Sequence, residues 1–145
     1  ILIKSCVLKN LFALHNDWRK MGLTLDKGEF APIQLDANMG FVNAIQEMLL
    51  FVSDDIIKIL PACPERFRKG MVKNLRFMTG FISFKWDKDK MFFRCVIEAV
   101  RNTKLKIQLP KFANKYVING RYIDGNIVNI SLDEGEKLFI DCMGK

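Results

Sequence analysis

Three side chains able to bind or polarise a ligand lie close together in the chain: the amide of Gln34, the carboxylate of Asp36 and the amide of Asn38. Apolar residues recur at helical spacing directly after them, which predicts a helix over residues 40–52. The polar residues would then form a loop leading into a helix N-terminus, where backbone N–H groups lack partners and attract carboxylates or oxygen ligands. Two roles fit this pattern: a helix cap formed by Asp36 or Asn38, or a ligand or catalytic site.

The composition is that of a folded, basic chain. Its 145 residues are 50% hydrophobic and 27% charged, enough for one ordinary core or for a small domain and a piece of another. The formal net charge is +7, and residues 58–76 contain six basic side chains against the single acid Glu65. No RNA-binding motif with interleaved aromatic residues accompanies them, so we predict a solvated face and no nucleic-acid partner, with nucleic-acid binding through this stretch as the weaker alternative. The six are Lys58, Arg66, Arg68, Lys69, Lys73 and Arg76.

The cysteines and the single histidine show no metal-binding spacing. Cys6, Cys63, Cys95 and Cys142 lie far apart without a C-x-x-C pair, and His15 is the one histidine. We therefore predict no metal and no cofactor. Apolar neighbours make Cys6 and Cys95 candidates for the core, with disulfides left open. No apolar run reaches the roughly 20 residues of a membrane span and no signal-peptide pattern is present, so we expect no membrane partner.

The patterning changes along the chain from helical to β. Residues 1–14 have the pattern of a mostly buried amphipathic helix, and residues 15–33 form a long loop. Because the chain starts directly in that helix, we expect it to be a piece of a longer protein. Pro61 and Pro64 mark the change near residue 60. Six to eight short antiparallel strands follow, including 70–77, 81–86, 91–100, 104–109, 127–130 and 138–140, with tight turns at Asn119-Gly120 and Asp124-Gly125.

Several short segments follow one another in an order and spacing that one enzyme family shares. They are Asn10-Leu11-Phe12, Gln34-Leu35-Asp36-Ala37-Asn38-Met39-Gly40, Glu47-Met48-Leu49-Leu50, Ile59-Leu60-Pro61-Ala62-Cys63-Pro64, Val72-Lys73-Asn74-Leu75-Arg76 and Gly80-Phe81-Ile82-Ser83-Phe84-Lys85-Trp86. The series covers residues 10 to about 100. It resembles the C-terminal end of glycoside hydrolase family 95, the inverting α-L-fucosidase family.

The resemblance implies both a fold and a reaction. The fold would be α+β, with two helices from the end of an (α/α)6 barrel in residues 1–55 and an antiparallel β-sandwich in residues 56–145. In the family's reaction an acid protonates the leaving oxygen, while an asparagine contacts the attacking water and an aspartate polarises it. The aspartate corresponds to Asp36, which donors at a helix start would keep ionised. Asn38 and Gln34 are then the candidate substrate-binding residues, which would fix this loop or line the pocket. His15 is a further candidate that reaches the pocket only if the long loop folds back, and its other role would be that of a helix-end cation or loop residue.

The departures from the family pattern limit what the resemblance implies. Phe30 stands where the family usually has a histidine that touches the sugar, so the sugar stays open. The general acid and the water-contacting asparagines belong to earlier segments of the family, so we expect no hydrolysis by this chain alone. Its expected partners are a fucosylated or related glycan and the remainder of a parent hydrolase. Apolar helix faces also predict self-association.

A second hypothesis is that the chain has no catalytic role and is a β-sandwich that is structural or binds carbohydrate. Trp18 and Trp86 are its candidate sugar-stacking residues, although a tryptophan in a strand is more often part of the core. The resemblance implies an extracellular or periplasmic location, and the residues themselves leave a cytoplasmic one open.

Overall fold

A computed structural model describes residues 35–113 and 115–142, and more than half of these residues lie in strands. The chain divides into two compact units, residues 1–46 and 47–145, and every strand belongs to the second. In chain order the elements are α1 (Leu35–Leu49), β1 (Leu50–Val52), β2 (Ile56–Ile59), β3 (Lys69–Phe77), β4 (Gly80–Asp87), β5 (Phe92–Ala99), β6 (Thr103–Gln108), β7 (Lys115–Ile118), β8 (Arg121–Asp124), β9 (Ile127–Leu132) and β10 (Lys137–Cys142).

The strands form two sheets around one core. The smaller sheet has the order β1-β2-β6-β9 and the larger β3-β4-β5-β10-β7-β8. Neighbouring strands are antiparallel, except that β2 and β6 run parallel. Ile57 and Ile107 from the smaller sheet and Phe93 and Ile97 from the larger one belong to a single buried apolar cluster. The sheets therefore pack as a β-sandwich with a shared core.

The expected fold class, two barrel helices followed by an antiparallel sandwich, is wrong. The described residues contain one helix, are mostly β, and include the parallel β2–β6 pair. The expected helix over residues 1–14 and the loop over 15–33 lie outside the described residues. The boundary between residues 55 and 56 stays a prediction.

The apolar segment Leu50–Val52 shows why the helical pattern was misleading. Its apolar residues continue the helical spacing of α1, yet it forms a strand, because Leu50 pairs with Ile59 of β2 and is only 2% exposed. The Leu60 N–H also donates to the Leu49 carbonyl at 2.8 Å. Pairing with a distant segment thus outweighs local periodicity here.

Alternation predicted the later strands correctly. In β6, Thr103, Leu105 and Ile107 are buried while the lysines between them are exposed. Asn119 and Gly120, with φ of 45° and 82°, form the predicted tight turn between β7 and β8. The Asp124-Gly125 turn joins β8 to β9, which lie in different sheets, so it is not a hairpin.

A bulge in β3 predicts that substitution of Asn74 lowers the stability of the fold more than substitution of its neighbour Lys73. The pairing with β4 shifts between Val72 and Leu75, and Asn74 has a φ of 51°. Its N–H donates to Ser83 Oγ at 2.9 Å, and that hydroxyl donates to Asn74 Oδ1 at 3.3 Å. We expect Asn74→Val to lower the free energy of unfolding by about 1–2 kcal/mol, because a β-branched side chain is strained at positive φ.

Urea denaturation followed by circular dichroism measures this effect. Lys73→Val is the matched control, since Lys73 is exposed on the same strand without a positive φ. Its change should stay within about 0.5 kcal/mol. Equal midpoints for the two variants would show that the bulge does not constrain Asn74.

Candidate functional site

Of the residues expected to form a polar loop, those that the structure describes, Leu35 to Gly40, lie inside helix α1. The helix begins at Leu35, five residues before the predicted start, so Asp36 is in its first turn and Gly40 is within it. Asp36 is exposed. Backbone N–H groups at the first turn lack intrahelical partners and favour a nearby carboxylate, so the position suits an acidic residue such as Asp36. This geometry is compatible with either helix stabilisation or a catalytic carboxylate.

Helical geometry separates Asp36 from Asn38. Residues two apart project about 200° from each other around a helix axis, whereas residues three or four apart share a face. Asp36 therefore shares its face with Gly40 and, one turn further, with Asn43. Among the described residues, no atom lies within 4 Å of the place that a Cβ at Gly40 would take. Asn38 is half-buried, and both it and Asn43 have interaction partners.

The spacing Asp36–Gly40–Asn43 adds a residue that the linear motif did not single out. Asn43 lies seven positions after Asp36, and this helical spacing could have identified it once the helix was extended back to Leu35. The other predicted site residues, Gln34 and His15, lie outside the described residues, as do Phe30 and Trp18.

An apolar stripe runs along another face of α1. Leu35, Met39, Val42 and Ile45 recur every three or four residues, and the first three are 61–66% exposed. The predicted self-association rests on the apolar faces of two expected helices, over residues 1–14 and 40–52, and Val42 and Ile45 of this stripe belong to the second. That association stays a prediction.

Trp86 is a core residue, as its strand position suggested. It is 4% exposed, and its Nε1–H donates to the Phe67 carbonyl at 3.0 Å. Gly70 of the neighbouring strand faces the indole, where an added Cβ would lie 2.4 Å from a ring carbon. A buried, hydrogen-bonded indole of this kind cannot stack on a sugar ring.

The basic stretch 58–76 is divided between the two sheets and the loop that joins them. Lys58 belongs to the smaller sheet, whereas Lys69, Lys73 and Arg76 lie on β3 at the edge of the larger one. Charged side chains on an edge strand hinder pairing with a second sheet edge. Between these elements, the exposed Arg68 pairs with Asp89, and this hydrogen bond lowers the pKa of the Asp89 carboxyl.

The described cysteines are unpaired. Cys95 is fully buried, which confirms its predicted core role, and burial raises the pKa of its thiol far above the usual range. Cys63, Cys95 and Cys142 are free thiols, while Cys6 lies outside the described residues.

Within residues 35–113 and 115–142, no three His, Cys, Asp or Glu side chains come together to hold a metal ion. The described part also has no helix long and apolar enough to cross a membrane.

Two concave surfaces in the described part of the sandwich involve the smaller sheet. A cavity of about 210 Å³ lies where β2 and β6 end, lined by residues that include Lys58, Lys88 and Phe112. A broader groove of about 480 Å³ lies on the smaller sheet, lined in part by Lys104 and Asn129. The sequence reasoning identified neither, because both depend on which strands are neighbours.

Comparison with known proteins gives one local similarity. No protein-family model matches the sequence. Over 57 residues the chain is 40% identical to Alpha-L-fucosidase 2 of Arabidopsis thaliana. The aligned part is 38% of this chain and only 7% of that protein. The match indicates a relationship to a glycoside hydrolase over that segment.

Proposed function

We propose that the chain is part of an α-L-fucosidase-like glycoside hydrolase of family 95, from its C-terminal portion. The observation that carries the proposal is the 40% identity over 57 residues to Alpha-L-fucosidase 2. The ordered series of motif segments supports it, because those segments resemble the same family of enzymes.

In this proposal α1 contributes Asp36 to the site. Inverting hydrolysis places a water between the sugar and the basic group, and the acid and base are about 6.5–9.5 Å apart to make room for it. Asp36 would polarise the asparagine and water that it faces, accepting a hydrogen bond that strengthens as the water loses its proton. Its exposure, and the absence of described atoms within 4 Å of a Cβ at Gly40, are compatible with these groups. A different segment of the parent protein would supply the acid that protonates the leaving oxygen.

The experiment compares the 145-residue chain with the longer protein encoded by the source gene. Both are incubated with an aryl α-L-fucoside and with a fucosylated oligosaccharide, and NMR follows the anomeric proton of the released sugar. We expect the longer protein to release β-fucose first, as inversion requires, and the chain alone to release none. A longer protein that contains this segment but hydrolyses neither substrate would overturn the proposal.

A second candidate, a silent sandwich that binds carbohydrate or supports another domain, is favoured by one observation. Residues 47–145 form a compact unit with its own buried core. The same oligosaccharide, titrated into the 145-residue chain, separates the candidates: NMR shift changes confined to the sandwich, without hydrolysis by the longer protein, would favour the second.

A further inference from the structure

The cavity of about 210 Å³ lies where the parallel strands of the smaller sheet end. Lys58 of β2 is opposite Gln108 of β6, so the carboxyl ends of the two strands meet at one edge. Pro61 and Pro110 follow shortly after, and proline ends a ladder because it has no N–H to donate. The segments that follow β2 and β6 therefore diverge there and leave a concave space between them.

Three lysines and one glutamate line this cavity: Lys58, Lys88, Lys111 and Glu65. The Lys58 ammonium group lies over the Phe51 ring of β1, 5.3 Å from its centroid, so it has to turn to meet a ligand in the cavity. The Lys88 side chain is only 11% exposed, and its Nζ donates to the carbonyls of Pro64 at 3.1 Å and Cys63 at 3.4 Å. These carbonyls fix the ammonium group at the cavity wall. Its carboxylate partner, Glu65, is 3.6 Å away and 90% exposed, and an exposed ion pair of this kind contributes little.

The rest of the wall can hold a sugar ring. The half-buried Phe112 and the buried Leu60 provide apolar surface, and Gln108 provides an amide that can both donate to and accept from hydroxyls. The volume is below the roughly 300–1,000 Å³ of pockets for drug-sized ligands, which suits a ligand of about one ring.

We propose that this cavity binds a monosaccharide unit carrying a carboxylate, such as a hexuronate. The lysines pair with the carboxylate, the exposed Glu65 is displaced, and the ring lies between the Phe112 side chain and the Gln108 amide. The inference does not depend on the proposed hydrolase function, because every residue used belongs to the sandwich.

Calorimetric titration of the 145-residue chain with D-glucuronate, D-glucose and inorganic sulfate tests the proposal. We expect glucuronate to bind at least tenfold more tightly than either of the others, since glucose lacks the charge and sulfate lacks the ring. Lys111→Ala and Lys58→Ala should each weaken glucuronate binding about tenfold, because each removes a charged hydrogen-bond donor. Raising the salt concentration should weaken it further.

Lys90→Ala is the matched control. Lys90 is exposed in the same turn as Lys88 but does not line the cavity. Its replacement by alanine lowers the net charge by the same amount as the cavity variants and leaves the cavity wall intact. Circular dichroism confirms that each variant is folded. The proposal fails if glucuronate gives no saturable heat, if glucose or sulfate binds as tightly, or if Lys90→Ala weakens binding as much as the cavity variants do.

Discussion

Asp36→Asn, introduced into a longer hydrolase that contains this segment, should lower kcat for fucoside hydrolysis by about 10²–10⁴-fold, the usual contribution of acid–base assistance. The amide has nearly the same shape as the carboxylate but cannot polarise the water with a full negative charge. Substrate affinity should change little, because the loss falls on the transition state. Steady-state kinetics on an aryl α-L-fucoside measures both parameters.

The same variant separates catalysis from helix stabilisation. If Asp36 only stabilises the start of α1, replacing its charge should lower the free energy of unfolding by about 0.3–1 kcal/mol and leave kcat unchanged. Asp54→Asn is the matched control, because Asp54 is an exposed aspartate in the turn between β1 and β2. An equal fall in kcat for both variants would show that Asp36 has no specific catalytic role.

Gly80→Ala should destabilise the sandwich by about 3 kcal/mol or more, near the upper range for overpacked cores. A Cβ at this position would lie 2.1 Å from the Glu98 carbonyl oxygen and 3.0 Å from the Phe77 ring. The carbonyl cannot move aside, since it belongs to β5, whose Ala99 pairs with Gly80 in the ladder. The methyl group therefore has to push two paired strands apart.

Urea denaturation of the 145-residue chain measures this loss. Lys85→Ala is the control on the same strand, where an exposed side chain is shortened and the change should stay within about 0.5 kcal/mol. A Gly80→Ala midpoint close to that of Lys85→Ala would mean that the strands accommodate the methyl group.

Local chemistry accounts for the part of the fold that the sequence predicted. The alternation of Lys104 to Leu109 and the Asn119-Gly120 pair each determine a strand or turn without help from distant residues. The β3 bulge at Asn74 was not predicted, although asparagine is one of the residues that tolerate its positive φ.

The features that the sequence missed depend on distant partners. Leu50–Val52 is a strand because β2 lies beside it, and the parallel β2–β6 pair joins segments about 50 residues apart. The candidate site was likewise predictable only in part. Asp36 could be singled out from its neighbours, but its helical face required knowing that α1 begins at Leu35 rather than Gly40.

The order of strands in the larger sheet has a consequence during synthesis. β3, β4 and β5 are consecutive neighbours and can pair as they emerge, but β5 obtains its other neighbour only when β10 is made. The intervening stretch of about 40 residues takes several seconds at about 5–20 residues per second. For that time the β5 edge and the apolar side chains Phe93, Cys95 and Ile97 lack their final cover, so a nascent chain is open to pairing with another strand.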